Sequence, residues 1–310
     1  MASEPIVTVF DLRVAKRSCF WNLQIWLDYL ALTKPEVNFL IVVTTFAGFY
    51  LGCPSAWHDF PFLRSINVVL GTLMVASGTG ALNQYIERRF DAQMRRTARR
   101  PLAAGRLHPS AVLWFGITLS VLGSVYLAAA VNLVASLLAL GTVLSYLFFY
   151  TPLKRKSPLC TLVGAFSGAM PPLIGWAAAS GRLSFGAWIL YSVVFLWQFP
   201  HFMSIAWMYR EDYARAGYLV LPRDGRARER FVNWQTLLPL LLLASVSLLP
   251  AFTSKSGRAY SIGAVLLCAG FSYYGAEFAL RKSNSSARQL LMASIIYLSL
   301  LLVLMILLRG

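Results

Sequence analysis

Nine stretches of this chain are each apolar for about the length of a membrane-crossing helix, and few folds accommodate such a row. They run roughly over 36–53, 65–86, 110–129, 131–150, 158–178, 184–208, 235–253, 259–280 and 287–308. A helix rising about 1.5 Å per residue needs about 20 apolar residues to cross a hydrocarbon slab about 30 Å thick. The composition agrees, since 58% of the 310 residues are hydrophobic and only 13% charged, which excludes a water-soluble globule. The expected fold is an all-α polytopic membrane protein with a nine-span domain over 34–310. Residues 1–33 form an N-terminal segment, in which the apolar residues from Phe20 to Leu30 recur at helical spacing around Asp28, as in a helix lying in the interface. The first 19 residues carry Glu4 and Asp11 and no apolar core, so they read as neither a signal nor a transit peptide.

The charge of +16 is compatible with a nucleic acid, a membrane surface or an anionic substrate until the charges are sorted by span. Nine spans put the termini on opposite sides. Of the 28 Lys and Arg residues, 23 fall before the first span, through Lys34, and in 87–109, 151–157, 209–234 and 281–288, and 5 on the other side. The positive-inside rule makes the richer side cytoplasmic, with the N-terminus inside and the C-terminus outside. Most of the excess is therefore topology. Basic residues spread over five separate segments give no nucleic-acid surface. The four cysteines, Cys19, Cys53, Cys160 and Cys268, lie far apart with no C-x-x-C, which indicates small apolar residues, neither a disulfide framework nor a zinc site.

Two inside loops carry the chemistry. After the second span, Asn83, Glu87 and Asp91 stand at i, i+4 and i+8, one stripe of a continuing helix. Three oxygen-bearing side chains facing one way suit Mg²⁺, which takes few carboxylates and leaves positions for water and phosphate oxygens. The plainer alternative is a solvated helix end on which Glu87 and Asp91 pair with Arg88 and Arg95. A second acidic loop, Glu211-Asp212, follows the sixth span and emerges on the same side, so two four-helix halves would face one another across a cavity. Between them lies Tyr150-Thr-Pro-Leu-Lys154-Arg155-Lys156, which is either topological charge or the counter-charge for a diphosphate.

The Asn-x-x-x-(Asp/Glu)-x-x-x-Asp stripe, with Met94-Arg-Arg-Thr97 and Arg100-Pro101-Leu, resembles the intramembrane aromatic prenyltransferases of UbiA type. Three further segments agree: Tyr150-Thr-Pro-Leu-Lys154-Arg155, Gly168-Ala-Met-Pro171-Pro172-Leu-Ile-Gly175-Trp176, and Phe195-Leu-Trp197-Gln198-Phe-Pro200-His201-Phe202. The last two point to the haem O synthase branch, and the likeness covers about 34 to 222. It departs at Glu87, where many members have Asp, at Gln84, which is often acidic, and at Glu211-Asp212, which replaces more widely spaced aspartates.

The resemblance implies transfer of farnesyl from farnesyl diphosphate to a vinyl group of protohaem IX with addition of water, in a bacterial inner membrane. It implies Mg²⁺ held by Asn83, Glu87, Asp91 and Asp212. Arg95, Arg96, Lys154 and Arg155 would contact the diphosphate, with Tyr150, Trp176, Trp197, Gln198 and His201 around the haem and prenyl groups. Haem A synthase or an oxidase-assembly protein would be the partner that takes the product. His201 is either a hydrogen-bonded core group or, given a haem substrate, an axial ligand. Pro171-Pro172 marks either a kink or the substrate pocket. Glu277 is expected to pair with Arg281 at i+4. The rivals are a prenyltransferase for a quinone precursor or chlorophyllide, and a transporter. Transport sites sit near the midplane, whereas these acids cluster at span ends.

Overall fold

The computed structural model describes residues 23–54, 59–252 and 257–308, and its regular structure is helical throughout. Phe20 to Asn22 of the expected interfacial helix, and Cys19, lie outside the described residues. A short helix, α1 (Leu23–Leu32), precedes nine that are long and apolar enough to span a membrane among the described residues. These are α2 (Pro35–Gly52), α3 (Phe62–Asp91), α4 (Pro109–Ala130), α5 (Leu133–Leu153), α6 (Cys160–Ser180) and α7 (Phe185–Met208). A single-turn helix, α8 (Arg210–Arg215), separates them from α9 (Gly225–Phe252), α10 (Gly257–Arg281) and α11 (Asn284–Leu307). The chain is a multi-pass membrane protein.

The helix ends follow from local chemistry. Pro35 and Pro109 open α2 and α4, where a missing N–H costs nothing. Asn132 caps α5 by accepting from Ala135 N at 2.8 Å, and its amide donates across to the Ala177 carbonyl on α6. Asp224 caps α9, and Ser283 with Ser286 forms a capping box on α11. Two helices run past their apolar stretches at the charged end of the molecule. α3 continues unbroken through the acidic stripe to Asp91, and α9 begins about three turns before its apolar run.

Two apolar clusters form the core. One draws mainly on α2 to α6, with Phe49, Val68, Leu127 and Leu173 fully buried, and the other on α7 and α9 to α11, with Leu243, Phe271, Leu290 and Leu301. The division is five helices and four, closed into a ring where α6 packs on α7 and α11 on α2. At the α2–α6 crossing the backbones approach so closely that a Cβ on Gly48 would strike the Pro172 carbonyl and one on Gly175 the Thr45 carbonyl.

Pro171-Pro172 divides α6 into two segments that meet at Ala169. Gln198 of α7 braces the first segment by donating to the Ala165 carbonyl at 3.0 Å, and its amide also reaches the Val194 carbonyl of its own helix at 3.1 Å. Pro171 and Pro172 are themselves buried in protein, where an interrupted span is tolerable. α1 has its apolar Leu23, Ile25, Trp26, Leu27 and Leu30 exposed, while Asp28 is buried against the two-pronged guanidinium of Arg106. This inverted pattern suits a helix lying on the membrane surface and pinned to the loop that follows α3.

Candidate functional site at the charged end of the bundle

The acidic stripe is not a solvated helix end. Asn83, Glu87 and Asp91 are only 1%, 5% and 1% exposed. Their partners are not the Arg88 and Arg95 of the plainer alternative. Glu87 accepts from Lys154 Nζ at 2.8 Å, and Asp91 Oδ2 from Arg100 Nη1 at 2.7 Å. Arg88 instead donates to the Tyr85 carbonyl. Asn83 is held on both sides of its amide: Oδ1 accepts from Lys34 Nζ at 2.9 Å, and Nδ2 donates to Thr151 Oγ1 at 3.3 Å. Lys34, on the linker between α1 and α2, has a left-handed backbone with φ of 54°. Such conformations in a non-glycine residue persist where surrounding structure enforces them.

Three loops meet over this stripe. The backbone N–H of Arg96 donates to Asp212 Oδ2 at 3.2 Å, and Leu219 N donates to the Lys154 carbonyl at 2.7 Å. Met94, Ala216 and Tyr218 form a small apolar cluster beneath them. Asp212 is buried and also accepts from Arg215, while the Glu211 side chain is 81% exposed. Asp212 is thus the buried acid of the second loop. Arg95 and Arg96, with Tyr209, Glu211, Asp212 and Arg215, line an open cleft of about 420 Å³ between the loops. Arg96 lays its guanidinium over the Tyr209 ring at 4.9 Å.

Charge is unevenly compensated. Burial works against the Lys154 ammonium, yet Glu87, then Tyr150 and Tyr146, hold it well above the ordinary 10.5. Lys34 goes the other way: burial first, then repulsion from Arg100 and Lys154, bring it down to about 7. The Tyr218 hydroxyl, raised mainly by burial and then by Glu87, approaches that carboxylate without a well-directed hydrogen bond.

The donor set bears on whether a metal fits. No group of three or more His, Cys, Asp or Glu side chains is gathered for a metal among the described residues, because Glu87, Asp91 and Asp212 are drawn to cations. Asp91 nevertheless keeps its second oxygen, Oδ1, buried and without any hydrogen bond. A bare carboxylate oxygen among other hard oxygen donors fits Mg²⁺.

The remaining expected residues divide. Tyr150 joins the cluster: it ends a π-helical stretch of α5, Ser145–Tyr150, and Lys154 Nζ sits 4.4 Å from its ring centre. Arg155 is exposed and lies over Phe90, outside the buried group. Trp176 stands near the far end of α6, wedged between Gly52 and Gly186, away from the charged cluster. Trp197 and His201 stack on each other inside α7, and the Gln198 amide donates to the Ala165 carbonyl of α6. Glu277 pairs with Arg281 at 3.0 Å, and Cys53, Cys160 and Cys268 are buried and free. Sequence reasoning did not single out Lys34, Thr151 or Tyr218 and gave Arg100 no role. Lys34 and Arg100 looked like topological charge.

Solved structures that resemble this one share its architecture at low identity. One, described as concerning digeranylgeranylglyceryl phosphate synthase in membranes, matches with a TM-score of 0.73 at 18% identity, covering 91% of this chain and 97% of the other. Another, a UbiA homologue from Archaeoglobus fulgidus bound to GPP and Mg²⁺, matches with a TM-score of 0.67 at 16% identity, covering 89% and 99%. Sequence relatives are closer. A protein from Solibacter usitatus named protoheme IX farnesyltransferase is 46% identical over 90% of this chain and 98% of its own. One of the same name from Koribacter versatilis is 41% identical over 90% and 92%. The UbiA prenyltransferase family profile matches residues 41–301, and this chain belongs to that family.

Proposed function

We propose that the chain transfers farnesyl from farnesyl diphosphate to a vinyl group of protohaem IX, with addition of water, giving haem O and diphosphate. One observation carries the reading: a prenyltransferase-family chain keeps a buried group of carboxylates and cations at one end, with a carboxylate oxygen left bare at Asp91. The relatives named protoheme IX farnesyltransferase supply the acceptor.

Asn83, Glu87, Asp91 and Asp212 would hold Mg²⁺. Bound there, the ion would neutralise diphosphate charge and ease departure of the leaving group. Lys154, Arg100 and Lys34, each now on an acidic or amide oxygen, would turn to phosphate oxygens as those side chains take metal, so the substrate exchanges partners within the cluster. Arg95 and Arg96 at the cleft would draw the diphosphate in. As the carbon–oxygen bond breaks, the allylic cation at farnesyl C1 is taken by the terminal vinyl carbon. Water then adds to the adjacent carbon and releases a proton. The Tyr150 ring, which already lies under the Lys154 ammonium, would face that cation, and the apolar bundle would limit early quenching by water.

The charge asymmetry supports a bacterial inner-membrane protein with its site and N-terminus cytoplasmic and its C-terminus outside. A transporter is disfavoured because the buried acids lie at helix ends. The test is expression with farnesyl diphosphate and haem available, followed by mass spectrometry of extracted haems. Appearance of haem O is expected; its absence with the folded protein present overturns the assignment, and a prenylated quinone precursor or chlorophyllide would identify the rival.

A further inference from the structure

Seven residues inward from the charged end of α7, a distance of about 10 Å, the His201 ring is held on two sides. Trp197, one turn earlier, stacks on it with 4.6 Å between ring centres and 28° between planes. The Trp197 indole N–H is itself tied to the Ser294 carbonyl of α11 at 2.6 Å. On the edge, His201 Nδ1 lies 2.8 Å from Ser294 Oγ, and that hydroxyl lies 2.6 Å from the Leu291 carbonyl oxygen.

These distances fix the tautomer. A carbonyl oxygen has no proton to offer, so the 2.6 Å contact between Ser294 Oγ and Leu291 O contains the hydroxyl's single proton. Ser294 Oγ can therefore only accept from the imidazole, which places the ring proton on Nδ1. Nε2 keeps its lone pair and receives no hydrogen bond from any described residue. A core histidine of the ordinary kind satisfies both nitrogens or meets water. This one is half-buried in an apolar span, oriented by an aromatic stack, with its second nitrogen bare.

We propose that Ser294 is a positioning residue that locks His201 as its Nδ1–H tautomer, so that Nε2 takes the iron of the porphyrin substrate as an axial ligand. The inference rests on protohaem being the acceptor. A metal-bound histidine ordinarily donates its other ring N–H to an oxygen, which fixes the ring and tunes its basicity, and Ser294 supplies that oxygen here. Iron held at one point would fix how far the macrocycle lies from the diphosphate cluster, with rotation about the iron–nitrogen bond left to other contacts.

The test is titration of the purified full chain in detergent with protohaem, read in the Soret region, and by the iron–histidine stretch of the ferrous complex in resonance Raman. A histidine-ligated spectrum is expected from the wild-type protein. His201→Ala should lose it, with added imidazole restoring it. Ser294→Ala should weaken haem binding on the order of 10- to 100-fold, with Ser294→Thr recovering most of the loss and thermal unfolding reporting that each variant is folded. Wild-type spectra and affinity in both alanine variants overturn the proposal. So does the absence of an iron–histidine stretch from the wild-type complex, a reading that needs no variant. If the wild-type protein makes haem O while His201→Ala binds haem unchanged, only this inference falls. If the wild-type protein neither binds haem nor makes haem O, the substrate assignment falls with it.

Discussion

Lys154 and Glu87 form a 2.8 Å ion pair between the end of α5 and the acidic stripe of α3, with side chains 13% and 7% exposed. Each is the other's compensation in a place with little water. Removing one partner leaves a buried charge unpaired, which typically costs about 3–5 kcal/mol. Lys154→Met should therefore lower the melting temperature of the detergent-solubilised protein markedly. The double variant Lys154→Met/Glu87→Gln should regain most of that stability and none of the activity. Recovery of both together would mean the pair is structural only.

Asp91 offers a different separation. Its Oδ2 is taken by Arg100 and its buried Oδ1 by nothing, so Asp91→Asn keeps the size and one hydrogen bond while removing the charge a cation needs. Expected outcomes are loss of turnover and of Mg²⁺-dependent diphosphate binding, measured by calorimetry, with a smaller drop in melting than Lys154→Met, because the amide oxygen still accepts from Arg100, whose side chain is 25% exposed. Full activity in this variant would remove the metal role from Asp91.

The fold and the stripe were legible because both signals are local. Apolar length marks a span, and spacing by four puts Asn83, Glu87 and Asp91 on one face whatever follows. What was not legible is who partners them. Lys34 reaches Asn83 across 49 positions and Lys154 reaches Glu87 across 67, and such pairings come from how helices pack. At a span boundary, a lysine before a proline reads as topological charge. Glu211 and Asp212 are adjacent and chemically alike, so only the turn of α8 separates the buried one from the solvated one. Gln198 shows a related limit: beside Trp197 and His201 it reads as pocket, and only the packing of α7 on α6 reveals that its amide donates to the Ala165 carbonyl.

Arg106 is expected to act at a distance. Its guanidinium grips Asp28 of α1 with contacts of 2.9 to 3.1 Å and donates to the Arg99 carbonyl, so it joins the surface helix to the loop carrying Arg95, Arg96 and Arg100. The arginine is 40% exposed, so solvent screening limits the pair's contribution to about 1 kcal/mol. Arg106→Ala should shift melting only slightly while raising KM for the prenyl diphosphate several-fold, because the loop loses its anchor. An unchanged KM would detach α1 from substrate handling.

Lys34 makes the site pH-sensitive, with opposite signs for stability and binding. Its ammonium falls from the ordinary 10.5 to about 7 on folding, by burial and then by the nearby Arg100 and Lys154. Between those values the unfolded chain binds the proton and the folded one does not. Stability of the substrate-free protein should therefore rise as pH climbs from about 7 toward 10.5. An anionic diphosphate beside Lys34 favours its charged form, so binding takes up a proton above pH 7. Affinity should then weaken as pH rises past 7, by up to about tenfold per unit, until the pKa of the bound state is passed. Calorimetry of an unreactive prenyl diphosphate analogue in buffers of differing ionisation heat reads that proton directly. Lys34→Arg, charged throughout, should lose both trends relative to wild type. Equal proton uptake in the two proteins would place the titrating group elsewhere.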